Sequence, residues 1–139
     1  MQINLDATFL NSDLFKTFLM ENYSDNPVLR LSLEFSKKII PFCNELNSQH
    51  HYEMKNQLYR SGTAVSAHIH EAQHPESRKD FIHKMKLAAK EAEESYYWLS
   101  LCENNPGYPS TDELISILVQ IKKLLSTIIV TALKNLKNT

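Results

Sequence analysis

Between Gln57 and Met85 the chain reads QLYRSGTAVSAHIHEAQHPESRKDFIHKM, two helical patterns separated by a single short break. Before the break, Leu58, Gly62, Val65 and Ile69 recur at spacings of four, three and four, which places them in one stripe of an α-helix. After it, Phe81, Met85, Ala88, Ala92, Ser95, Leu99 and Cys102 keep a four-three repeat, the seam of antiparallel bundle packing. Small residues fall where the two helices would approach closely. A chain built around this pair is constrained to helix-on-helix packing. Its only two glycines, Gly62 and Gly107, are too few for the tight turns of a β-rich fold.

The same periodicity flanks the pair. Asn26 and Pro27 form a helix start, Asn26 as cap and Pro27 at the first helical position. Leu31, Phe35, Ile39, Phe42 and Leu46 carry that first helix, and Pro41 inside it predicts a kink near Lys37. The second helix is expected over residues 51–72. The third starts near Pro75 or Ser77, where Ser77-Arg78-Lys79-Asp80 resembles a capping box with Asp in the acidic place. Asn104-Asn105-Pro106-Gly107-Tyr108-Pro109 is the clearest break. Beyond it Ser110 or Thr111 caps a fourth helix, with Asp112 and Glu113 at its positive end and Lys134 and Lys137 at its carboxyl end. Leu114, Leu118, Ile121, Leu125, Ile128 and Ala132 form its buried stripe, with Ile117, Leu124 and Leu136 beside it.

These elements predict an all-α, antiparallel up-down-up-down four-helix bundle over residues 25–139, a single domain. Residues 1–24 form an N-terminal extension. Leu5, Phe9, Leu10, Leu14, Phe15, Phe18 and Leu19 make it loosely amphipathic, and Ser12 or Asp13 can cap a short helix there. It reads as a packing arm or, more sharply, as a partner-binding segment.

Charge and cysteine usage bound the function. The formal net charge of -1 supplies no global field toward nucleic acid or membrane. No uninterrupted apolar run of about 18 residues occurs, so no membrane span is expected. The first ten residues carry no Lys or Arg, unlike a secretory signal. Cys43 and Cys102 lie in apolar patterns and read as reduced core thiols, which makes a cytoplasmic location the expectation.

Three constellations are candidates for function. On the second helix Arg60, Ala64, Ala67 and Glu71 form another stripe, small residues between two charged ends, expected to meet a further helix and so to build an oligomer. From Glu53 to Lys90, seven Lys or Arg residues against Glu53, Glu71, Glu76 and Asp80 leave a local charge of +3. There Arg78, Lys79, His83, Lys86 and Lys90 are candidates for contact with nucleic-acid phosphates, on one side of the third helix. His70-Glu71-Ala72-Gln73-His74 reads H-E-x-x-H, the spacing of a zinc hydrolase, with Glu93 or Glu94 as distant third ligands. Pro75 puts its second histidine at a fraying helix end, so the metal reading with His70 and His74 is the weaker alternative. Tyr96, Tyr97 and Trp98 have the faces to stack bases, but they sit beside the seam and read as packing residues. No catalytic residues, cofactor or small-molecule substrate emerge from the pattern.

The segment carrying Gln57, Arg60, Ser61, Val65, Ala67, Ile69, Glu71, Ser77 and Phe81 resembles the family of four helix bundle proteins, some of which are encoded by intervening sequences within bacterial large-subunit ribosomal RNA genes. The resemblance extends over Asn26–Leu136 in helix order, and residues 1–24 lie outside it. It departs at His68, where the family commonly has Asn. It implies a homopentamer of bundles and no established enzymatic activity. Some relatives associate with nucleic acid, and those look more basic than this chain.

Overall fold

The structure, a computed structural model, describes residues 25–138. The expected N-terminal arm therefore lies outside the described residues. The remainder is the antiparallel bundle: α1 (Pro27–Ser48), α2 (Tyr52–Ala72), α3 (Arg78–Cys102) and α4 (Asp112–Lys137). Each helix packs on its sequence neighbour, and α4 closes the bundle against α1.

Local chemistry sets the helix ends. Asn26 Oδ1 accepts from the Leu29 N–H at 3.3 Å, with Pro27 opening α1 as expected. The Asn26 amide also donates to Gln73 Oε1 at 3.2 Å, and the Gln73 amide donates to the Ile69 carbonyl. One side chain thus caps α1 and ties it to the end of α2. Ser77 accepts from the Asp80 N–H at 3.0 Å. The Asp80 carboxylate, however, accepts from the Glu76 N–H, one residue earlier than a reciprocal box requires. Thr111 precedes α4 but makes no capping bond, and its hydroxyl is buried without a hydrogen-bond partner.

Two features were not expected from sequence. α1 ends with His50 at φ 65°, bracketed by bonds from the His51 N–H to the Leu46 carbonyl and from the His50 N–H to the Asn47 carbonyl. That is a Schellman end with histidine where glycine is usual. His51 then donates from Nε2 to the Gly107 carbonyl at 2.7 Å and stacks on Tyr108 at 4.0 Å, fastening the two loops at this end of the bundle together. α1 is assigned as one continuous helix through Pro41. Pro41 and Lys37 are both exposed, so the carbonyl that loses its partner lies where water can take it.

The core follows the expected stripes with two corrections. Leu58, Gly62, Val65 and Ile69 of α2 are all buried, as are Phe35, Ile39, Phe42 and Leu46 of α1. On α3 the seam is entered by Ile82 rather than Phe81, which is half-buried, because the helix turns Ile82 inward one position later. On α4 burial stops at Leu125; Ile128 and Ala132 are half-buried and do not continue the core stripe. α4 is also long and apolar enough to cross a membrane by length and composition, with a mean hydropathy of 1.8 in a window only 28% buried. Counting uninterrupted apolar runs missed this, because a few charges break the run without lowering the average much.

α2 sits closest to its neighbours at Ser61 and Gly62. Ser95 Oγ of α3 donates to Ser61 Oγ at 2.9 Å inside the core. A β-carbon at Gly62 would lie 2.9 Å from Ile39 Cγ1 and 3.1 Å from two further atoms of that fully buried side chain. Glycine is required there for space, since no positive φ is involved. We expect Gly62→Ala to destabilise the fold by about 1 kcal/mol, overpacking outweighing the better helix propensity. Urea unfolding would measure it, and the same substitution should cost less in an Ile39→Ala background, which lacks all three contacting atoms.

Candidate functional site

The stripe of Arg60, Ala64, Ala67 and Glu71 lies along the flank of α2 that neighbours α3. Arg60 is exposed, and its guanidinium bonds both Glu91, at 3.2 Å, and Glu94. Glu71 receives the Lys84 ammonium at 3.0 Å, with His68 Nδ1 at 3.7 Å. His68 Nδ1 is buried and makes no hydrogen bond, since that separation is too long for one. Between these charged ends Ala64 is half-buried and Ala67 exposed. Both ends of the stripe are therefore engaged within the chain. Their partners Lys84, Glu91 and Glu94 were not foreseen, because pairing across helices depends on helix rotation that sequence spacing does not fix.

Electrostatics follow from these pairs. The Lys84 hydrogen bond and charge hold the Glu71 carboxyl below its usual value, and Arg60 and the Trp98 indole do the same for Glu94. Lys84 and Arg60 are raised in return, first by their hydrogen bonds to Glu71 and Glu94. A carboxyl lowered in the folded state adds stability above its unfolded value, near 4.5, and that contribution is lost as pH falls through the folded value. The pairs are solvent-screened, so each effect is small. A Glu71→Gln/Glu94→Gln protein should lose less stability than the parent between about pH 6 and about pH 3, read from urea midpoints.

The cationic candidates lie elsewhere on α3. Lys79, His83, Lys86 and Lys90 follow one another at spacings of four, three and four, so they share one side of the helix. All four are exposed, and Arg78 adjoins them, also exposed. Among the described ion pairs none involves these residues, whereas Lys84, on a neighbouring side, is engaged by Glu71. One side of α3 is thus neutralised against α2, while among the described ion pairs the outer side has none, Lys90 acting on Glu94 only at a distance.

The aromatic residues divide. Tyr96 is half-buried under the Lys122 ammonium, 4.2 Å from the ring centre, and Lys122 also pairs with Glu93 at 2.8 Å. Trp98 is half-buried and donates from Nε1 to Glu94. Tyr97, 56% exposed, meets Trp98 edge to face with ring centres 5.0 Å apart.

The H-E-x-x-H segment is not arranged as a metal site. α2 ends at Ala72, so His74 lies beyond the helix and is exposed. His70 Nδ1 is bonded to the Ser66 carbonyl at 2.8 Å, Glu71 is held by Lys84, and Glu93 and Glu94 are held by Lys122 and Arg60. Among the described residues no group of three or more metal-ligating side chains comes together. Cys43 and Cys102 are buried free thiols, each pushed up to about 11 chiefly by burial.

An all-α four-helix bundle with short connections, its flanks stitched by charge, is the class of protein that the described residues define. A family model described as 23S rRNA-intervening sequence protein matches residues 24–129, and the chain belongs to that family. It is also similar to a crystal structure from Bacteroides thetaiotaomicron, described as a protein of unknown function from the S23 ribosomal protein family. The two share 38% identity, with a TM-score of 0.69, over 73% of this chain and 97% of that one. No curated protein matches the chain. Neither description names a catalytic activity.

Proposed function

We propose that this chain is a non-enzymatic binding module that self-associates and holds RNA or DNA by its phosphate backbone. The observation that carries the reading is the stripe of Lys79, His83, Lys86 and Lys90, exposed along one side of a rigid helix without acidic partners among the described ion pairs. Its three lysines at helical spacing present a line of charge to which phosphates can bind with release of counterions. Arg78 extends the line at one end, and exposed Tyr97 lies further along the same helix, where a base can stack. Nothing in the stripe reads base edges, so the binding is sequence-independent.

Self-association supplies the avidity that a few cations on one subunit lack. The homopentamer implied by the family resemblance would repeat the stripe around an axis and form basic rims between subunits. Arg60, Ala64, Ala67 and Glu71 are the proposed subunit interface. Exposed Ala67 and half-buried Ala64 put small side chains between two charge clusters, where a neighbouring helix can approach closely. The reading is of a cytoplasmic protein with no cofactor and no membrane role, supported by its two buried free thiols.

Fluorescence anisotropy with labelled single-stranded RNA and DNA tests the binding. Affinity should fall linearly with the logarithm of salt concentration, and a Lys79→Ala/Lys86→Ala/Lys90→Ala protein should show a slope shallower by about 2, near 0.7 per lost contact. Salt-independent binding, or none near physiological ionic strength, ends the nucleic-acid reading. Light scattering tests the assembly: Arg60→Ala and Glu71→Ala should reduce the mass in solution while leaving the unfolding midpoint nearly unchanged, since their pairs are solvent-screened. A monomeric parent protein, or unaltered mass in both variants, removes that face from the interface.

A further inference from the structure

The carboxyl-terminal half of α4 carries apolar residues that its neighbours cover only in part: Ile128 and Ile129 pack against the core, while Val130 faces solvent. After Leu125 no residue of the helix is buried, although Ile128, Ile129, Val130, Ala132 and Leu133 follow. Val130 is 48% exposed. Two hollows run along this stretch against α3. One of about 570 Å³ is lined by Pro75, Phe81, Ile82 and Ala132, and another of about 380 Å³ by Ala89, Ile129 and Val130. A face of this kind is unfavourable to leave in water and marks a docking surface.

Three observations identify what covers it. The first is position. Asn26 is bonded to Gln73 at the end of α2, and α2 leads through a short turn into the start of α3, whose Phe81 and Ile82 line the larger hollow. Residues 1–24 therefore join the bundle at the end where the uncovered face lies. The second is extent. The family match covers residues 24–129, so the preceding segment and the last turns of α4 both fall outside the shared domain. The third is chemistry. Phe9, Leu10, Leu14, Phe15, Phe18 and Leu19 supply apolar surface, and Asp6, Asp13 and Glu21 outnumber Lys16. The receiving end of α4 carries Lys134 and Lys137, both exposed. Twenty-four residues reach about 36 Å as a helix and more when extended, ample for the last turns of α4, about 16 Å.

We propose that residues 1–24 are the bundle's own ligand for this face, docking their apolar side chains along the α3–α4 groove. The additions at the two chain ends then form one device, the acidic arm covering the apolar and basic end of α4. This stands apart from the reading of the cationic stripe and does not depend on it.

The test uses the bundle without the arm, residues 25–139. It holds all four helices, the whole core described above and all but the first residue of the family match. A fluorescein-labelled peptide of residues 1–24 should bind the shortened bundle saturably, with a dissociation constant around 10 μM or tighter. It should bind the full chain at least tenfold more weakly, because the tethered arm already occupies the groove. Val130→Asp with Leu133→Asp, outside the core, should weaken peptide binding to the shortened bundle at least tenfold. No saturable binding, or equal binding to both proteins, overturns the proposal. A shortened bundle that buries the face by a higher association state and ignores the peptide assigns it to a second copy and equally overturns the proposal. Capture by lipid vesicles with no peptide binding would do the same in favour of a membrane.

Discussion

The fold turns on how closely α2 can lie between its two neighbours. At Gly62 the absence of a β-carbon lets Ile39 of α1 press against the helix backbone, and one residue earlier Ser61 meets Ser95 of α3 through a buried hydroxyl bond. Bulk at either position would push a neighbour outward and disturb the packing on that flank. With α2 and α3 in register, Arg60 reaches Glu91 and Glu94, and Glu71 reaches Lys84. These bridges contribute little free energy in water. Their consequence is in sorting charge: they fix which cations are neutralised and leave the outer side of α3 with those that are not.

That sorting matters more than net charge. A protein at -1 overall has no field to attract a polyanion from a distance. Lysines at helical spacing, with no ion pair among the described residues, nevertheless give a local potential within a Debye length, and repetition around an assembly would multiply it. α4 presents a second imbalance, in hydrophobicity rather than charge. Its first half is gripped by the core, while its second half carries the same residue types with partial cover. The hydropathy that gives α4 the composition of a membrane helix is therefore, in this bundle, surface in excess of what α1 and α3 enclose.

Much of the architecture was legible in sequence because helix starts and stripes are written in local chemistry. Asn26-Pro27 and Ser77 set the beginnings of α1 and α3, and the period of Leu58, Gly62, Val65 and Ile69 oriented α2. The failures fall where local signals are degenerate. Phe81 and Ile82 both fit an apolar period, and which of them faces inward depends on the rotation of α3 against α2 and α4. Thr111 looks like a cap but is packed away from the N–H groups it would serve. His50 takes a left-handed conformation that its residue type does not announce. The H-E-x-x-H spacing was visible, and so was the helix ending at Ala72, but the engagement of Glu71 by Lys84 was not.

By itself, then, the order of residues determined the four helices of residues 25–138, their antiparallel sequence and the stripe by which α2 enters the core, because hydrogen bonding along a helix and burial of one face are decided within a few turns. Only the tertiary structure decided which charges meet and which apolar surface is left over. Those depend on the rotation and relative length of packed helices, quantities set jointly by residues far apart in the chain, such as Ile39 with Gly62 and Ser61 with Ser95.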